Sequence, residues 1–231
     1  MTLHSTGTLY LVSTPIGNLE DISLRALRIL KEVDIIAAED TRRTGLLLKH
    51  FHIKNRLAVY HDHNKSHKTP VLLRQLSQGN SIAVVSDAGT PGISDPAYYL
   101  VKRAVDASIP IIPIPGATAA ITGLVVSGLP TDRFVFEGFL PPKKGRKTRL
   151  KILATEPRTI ILYEAPHRLL RTLSDLLEIL GDRAMTVCRE LTKRFEETLR
   201  GTISEIIHIF SNRKPRGEFI LIIQGHSKKN A

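Results

Sequence analysis

The chain has 231 residues, 42% of them hydrophobic, enough for one large or two small domains with a real core. Its 33 Lys and Arg against 22 Asp and Glu give a formal net charge of +11, which points to a polyanionic partner such as nucleic acid. No apolar run reaches membrane-span length, the N-terminal MTLHSTGTLYLVSTP lacks a secretion-signal pattern, and the lone Cys188 excludes an intrachain disulfide and a Cys-based zinc site, so a cytoplasmic protein without membrane contact is expected.

In chain order, Leu9–Ser13 reads as a first strand, and the spacing of residues 23–30 predicts an amphipathic helix. Asp34–Ala38 and Arg56–Tyr60 are further strands. A helix follows over Thr69–Gln78, with Val71, Leu72 and Leu76 as its stripe. Ser81–Val85 and Ile109–Ile114 complete the first half. Strands alternating with helices imply a mostly parallel sheet covered on both faces. Ligands of open α/β sheets lie outside the carboxyl ends of the strands. The loops at that edge carry the unusual chemistry: TPIGNLED, AEDTRR, SDAGTPGISDP and PGATAA.

Past Gly128-Leu129-Pro130 the pattern changes. Strands are predicted at Phe134–Phe139, Thr159–Tyr163, Met185–Arg189, Phe195–Gly201 and Glu218–Ile223. Helices are predicted at Arg149–Ala154, Arg168–Leu180 and Ser204–Phe210. The last three strands have few helices between them, so this half should hold a mixed sheet. The expected organisation is an N-terminal α/β domain over residues 1–116 and a C-terminal α/β domain over 117–231.

Charge is unevenly placed. Residues 75–132 hold Lys102 and Arg103 as their only bases, against Asp87, Asp95, Asp106 and Asp132. Residues 143–151, KKGRKTRLK, have six cations in nine positions. That run suits phosphates, and its lack of an aromatic offers charge rather than base stacking. A solvated helix face is the plain alternative. The near-absence of cations around SDAGTPGISDP suits a small ligand that is itself cationic.

Several motifs have two readings each. No G-x-G-x-x-G or Walker P-loop occurs. Pro15 and Gly17 in TPIGN either approach a ligand or form a tight turn. Glu39 and Asp40, ending the second strand, either grip ribose hydroxyls or cap a helix over 42–50, and Arg42 or Arg43 can pair with them. His61 and His63 share one side of an extended segment, yet lack a third metal ligand, so a polar loop or an RNA contact is the better reading. Residues 115–130 either cradle a ligand against backbone or pack a helix tightly on a sheet. Tyr163 offers stacking, and His167 is either an acid–base group or structural.

Together, LVSTPIGNLEDIS, AAEDTRRTGLLL, HDHN, VVSDAGTPGISDP, PGATAAITGL, GLPTDRFVFEGFLP, YEAPHRL, RELTKRFE and GEFILII, in this order over residues 8–225, resemble the tetrapyrrole-methylase superfamily of S-adenosylmethionine (SAM)-dependent methyltransferases. Within it, they resemble the branch that methylates a cytidine ribose 2′-hydroxyl in the decoding region of 16S ribosomal RNA. The resemblance implies two α/β domains with SAM in a cleft between them, and a homodimer. It implies SAM contacts at Pro15, Asp87, Ala88, Gly89, Thr90, Ile93, Thr118 and Ala119, and also at Tyr163, Leu191 and Glu218. Glu39, Asp40 and His167 are the candidate proton acceptors, since they end strands at the loop-bearing edge. Arg42, Arg43, His61, Lys143, Lys144, Arg146, Lys147 and Arg149 are the expected RNA contacts. No metal is required. A helical tail past the final strand, common in such proteins, is not seen after GHSKKNA. Two alternatives remain: a superfamily enzyme acting on a corrin precursor or a protein side chain, and a non-catalytic RNA-binding assembly factor.

Overall fold

The computed structural model describes residues 6–226. The start of MTLHSTGTLYLVSTP, where no secretion signal is expected, and the end of the chain after His226 lie outside the described residues. The chain divides into two compact units, Met1–Thr118 and Ala119–Ala231.

The first unit holds five parallel strands, β1 (Leu9–Val12), β2 (Ile35–Ala38), β3 (Leu57–Val59), β4 (Ile82–Val85) and β5 (Ile111–Ile114), in the order β3-β2-β4-β1-β5. Helices α1 (Leu24–Glu32) and α2 (Thr41–His50) cover one face, and α3 (Lys65–Ser77) and α4 (Ala97–Asp106) the other. Alternation along β2 shows why the sheet is apolar throughout. Ile35 and Ala37 enter the core with Leu72, Leu76 and Leu100, while Ile36 and Ala38 meet Ala26, Leu30 and Leu48. Ser23 starts α1 by accepting a hydrogen bond from the Ala26 N–H at 3.0 Å.

Two elements differ from expectation. α3 begins at Lys65, four residues early, and carries Pro70 in its second turn, where no N–H is available for the Ser66 carbonyl; a proline there masks the helix start in the sequence. α4 is absent from the sequence reading. Its buried stripe is Ala97, Leu100 and Ala104, and two alanines make a faint apolar signal.

The second unit holds a mixed sheet. β6 (Phe134–Phe139) runs parallel to β7 (Thr159–Glu164), and β10 (Phe219–Ile223) lies antiparallel between β7 and β8 (Ala184–Arg189). β9 (Glu197–Thr202) closes the edge against β8. Helices α6 (Arg146–Leu153), α7 (Leu169–Leu180) and α8 (Ile203–Ser211) bury one face around Leu150, Leu162, Leu173, Val187, Phe210 and Leu221. Each such fully buried side chain contributes about 1.5–3 kcal/mol. α5 (Ala119–Val126) lies against β10, where a Cβ on Gly123 would stand 3.2 Å from Ile220 Cγ2 and 3.3 Å from Ile222 Cδ1. Tight helix-on-sheet packing therefore accounts for the small residues in that segment. Among the described residues, no helix is long and apolar enough to cross a membrane.

Candidate cofactor and substrate site

The outgoing connections of the neighbouring strands β1 and β4 run to opposite sides of the first sheet, which makes the gap between them its topological switch point. The loops after these two strands meet there. The N–H of Thr14 donates to the Gly89 carbonyl at 2.9 Å, and the N–H of Gly89 returns to Thr14 at 3.1 Å. Ser13 Oγ lies 3.0 Å from Thr90 Oγ1, which donates to the Ala117 carbonyl at 3.2 Å. A Cβ on Gly116 would fall 2.8 Å from Ser13 Cβ, so the fifth loop needs glycine to lie against the first. The second loop joins through the N–H of Asp40, which donates to Asp87 Oδ1 at 3.0 Å. Four of the motif-bearing loops thus form one hydrogen-bonded assembly. Asp95 braces the fourth from within, accepting from the N–H groups of Gly92 at 2.7 Å and Ala97 at 2.8 Å.

The assembly is acidic. Burial raises the Glu39 carboxyl above its ordinary range, and the nearby charges of Asp87, Asp95 and Asp62 push the same way. Burial also raises Asp95, against its backbone hydrogen bonds. Asp40 behaves in the opposite sense. It caps α2 through the Arg42 N–H at 2.9 Å and holds the Arg42 guanidinium at 3.1 and 2.9 Å, which lowers its carboxyl to about 2. Capping is therefore seen for Asp40, and Glu39 is the carboxyl tuned upward. Arg43, from outside the cation-poor window, approaches Asp87 at 3.5 Å, so with Arg42 on Asp40 two exposed cations border the assembly.

Pro15, Asp87 and Thr90 are partly buried in these loops, Gly89 is buried, and Ala88 and Ile93 are exposed. Thr118 and Ala119 follow the bonded Ala117. His61 begins the turn after β3, which Asn64 closes by accepting the His61 N–H at 2.9 Å. That turn replaces the expected extended segment, because Asn64 satisfies the backbone locally. The His61 and His63 rings meet edge-on at 5.8 Å, and His61 Nδ1 is buried without a hydrogen-bond partner. Among the described residues, no three His, Cys, Asp or Glu side chains are grouped to hold a metal ion.

In the second unit, the Tyr163 hydroxyl accepts the Ala120 N–H at 3.1 Å, and its ring packs edge-on against Phe136 and Phe139. Leu191 is buried between Glu190 (φ 51°) and Thr192 (φ 67°), a sharply turned segment after β8. Glu218 is exposed and pairs with Lys193 at 2.7 Å. His167 is exposed in the turn before α7.

The cationic run needs one correction. Lys143, Lys144 and Lys147 are exposed, but Arg146 is only 3% exposed. Its guanidinium donates to Asp175 Oδ2 at 2.6 Å, Thr172 Oγ1 at 2.9 Å and the Pro141 carbonyl at 3.4 Å. Arg146 is not a phosphate contact; it is a buried tie between α6 and α7, whose Thr172 in turn donates to buried Glu164. Arg149 stays at the surface, paired with Glu137 at 2.5 Å.

Residues 8–207 match the model of the Tetrapyrrole (Corrin/Porphyrin) Methylases. The chain belongs to this family. Curated relatives called "Ribosomal RNA small subunit methyltransferase I" include those of Synechocystis sp., 58% identical over 95% of this chain and 79% of the relative, and Halalkalibacterium halodurans, 54% identical over 96% and 78%. The Escherichia coli O157:H7 relative is 52% identical over 96% and 79%. Among solved structures, uroporphyrin-III C-methyltransferase from Thermus thermophilus, complexed with S-adenosyl homocysteine, superposes with a TM-score of 0.66 at 21% identity, covering 94% of this chain and 97% of that one. A cobalt precorrin-4 methyltransferase shares the same methylase-family fold, with a TM-score of 0.66 at 17% identity over 94% of each chain.

Proposed function

We propose that the protein is a SAM-dependent methyltransferase that methylates the ribose 2′-hydroxyl of a cytidine in small-subunit ribosomal RNA, and that it acts in the cytoplasm as a homodimer. The observation that carries the reading is the hydrogen-bonded assembly of loops at the switch point, with Glu39, Asp62, Asp87 and Asp95 gathered in it and Arg42 and Arg43 at its edge. The names of the near-full-length relatives support ribosomal RNA as the substrate.

The residues present suit the cofactor. Bound there, SAM supplies a methyl group on a sulfonium, whose positive charge is favoured near Asp87, Asp95 and Glu39 and disfavoured near Lys or Arg. Pro15, Asp87 to Thr90 and Ile93 line the proposed site, with Thr118 and Ala119 after them. Gly89 (φ 80°) and Gly116 let the loops that form this surface pack closely on one another.

Glu39 is the preferred proton acceptor. A base works best with a pKa near the working pH, and Glu39 is shifted in that direction while Asp40 is held near 2. One Glu39 carboxylate oxygen takes the proton of the 2′-hydroxyl, and alignment of the ribose supplies much of the remaining acceleration. Arg42, Arg43 and His61 beside this edge, and Lys143, Lys144, Lys147 and Arg149 on the second unit, are the proposed RNA contacts. His167 is a secondary acid–base candidate.

The test uses methyl-labelled SAM and undermodified small ribosomal subunits. Labelled RNA that yields one alkali-resistant dinucleotide beginning with cytidine supports the reading, because a 2′-O-methyl group removes the nucleophile of alkaline cleavage. Label on a base, or none in RNA, overturns it.

A further inference from the structure

By sequence the cationic run offers charge alone, but the fold adds an aromatic from the preceding strand. A depression of about 490 Å³ on the second unit has Phe139, Leu140 and Ile152 as its apolar lining, with Arg149 and Glu137 also in its wall. Phe139 is 54% exposed and Ile152 56%. A bulge in β6 between Phe136 and Gly138 creates this arrangement. Residues three apart in a regular strand face opposite ways, yet here Phe136 and Phe139 both pack on Tyr163, at 5.0 and 5.6 Å. Tyr163 supports one side of the Phe139 ring, and Glu137 holds the Arg149 guanidinium at 2.5 Å.

We infer that this depression is a nucleobase-stacking subsite, in which a base of single-stranded RNA lies on Phe139 beside Arg149 while Lys143, Lys144 and Lys147 take the flanking phosphates. The inference rests on RNA being the substrate. Its chemistry is a choice between occupants. An apolar small molecule or protein segment has no use for four neighbouring exposed cations. A bare phosphate chain has no use for an exposed phenyl ring over a leucine floor. Single-stranded RNA alternates flat aromatic units with anions and uses both. The volume lies within the usual range of small-ligand pockets.

The test is fluorescence anisotropy with two probes on the full chain: a labelled oligocytidylate of about eight nucleotides, within the ordinary single-strand site size, and an abasic ribose-phosphate chain of equal length. Phe139→Ala is expected to weaken oligocytidylate binding about tenfold, equivalent to ~1.4 kcal/mol, and to leave the abasic chain unchanged. Phe139→Trp, which keeps a stacking face, is expected to restore oligocytidylate binding. The inference is overturned if Phe139→Ala binds oligocytidylate like the parent, if both probes weaken equally, or if Phe139→Trp fails to restore binding. Methylation of ribosomal subunits by the parent chain judges the substrate reading separately. Its failure leaves a base-dependent oligocytidylate result standing, and loss of base dependence leaves methylation standing.

Discussion

Gly89 offers the most direct perturbation of the loop assembly. It sits at φ 80° inside the two-way backbone bridge to Thr14, and an added Cβ would stand 3.3 Å from Ile16 Cγ2. Holding an L-residue in left-handed backbone costs about 1–2 kcal/mol. Ile16 Cγ2 is the branch methyl on a Cβ that is stiff at χ1, so the few tenths of an ångström it must give add to the backbone cost. For a unit of this size, Gly89→Ala should lower the melting temperature by roughly 4–8 °C. The alternative is that the loop relaxes and breaks its bridge, in which case the cofactor surface is lost instead. Either way SAM affinity should fall, by about tenfold or ~1.4 kcal/mol. Gly92 is the internal control: its φ is 90°, but no atom lies within 4 Å of an added Cβ. Gly92→Ala should show a similar thermal loss with a smaller change in SAM affinity. Calorimetry measures both quantities. Gly89→Ala matching the parent in both, or Gly92→Ala harming SAM affinity as much, would show that the bridge at Gly89 does not shape the cofactor surface.

Other outcomes follow from the site electrostatics and the cationic run. Because the folded Glu39 carboxyl lies above its unfolded value, its ionisation opposes folding once pH exceeds the unfolded pKa of about 4.3. Glu39→Gln should therefore be the more heat-stable protein at pH 7. That advantage should shrink to nothing as pH falls through the raised pKa toward the ordinary one. Its turnover should drop by about 10²–10⁴ if Glu39 is the base, and a variant with parental turnover removes that role. Neutralising Lys143, Lys144 and Lys147 together should weaken RNA binding and reduce the salt slope by about 0.7 for each phosphate that no longer meets a cation, with SAM affinity unchanged. Arg146→Ala should instead destabilise the second unit by about 1–3 kcal/mol, because buried Thr172 and partly buried Asp175 lose their partner; an RNA defect at parental stability contradicts the buried assignment.

The strands are plain in the sequence because both sheets bury unbroken apolar runs such as Ile35–Ala38 and Phe219–Ile223. A parallel first sheet also makes it legible that decorated loops share one edge. The acid cluster is not legible, because Glu39, Asp62 and the pair Asp87 and Asp95 come from three different loops and only the strand order brings them together. Composition alone misplaces Arg146. The signal that places it is present in the sequence: it falls in phase with Leu150 and Leu153, at i, i+4 and i+7 of one helix, the buried face of α6. The role of Phe139 depends on a bulge, and Gly138, at φ 62°, is only a faint sequence marker of one.

The proposed resting place of the sulfonium cofactor is the set of loops after β1, β4 and β5. A crystal structure with S-adenosylhomocysteine bound tests it most directly. Ligand density is expected against Pro15, Asp87 to Thr90 and Thr118-Ala119, with its sulfur away from every Lys and Arg. Density elsewhere on the chain, or the Arg43 guanidinium packed on the sulfur, contradicts it.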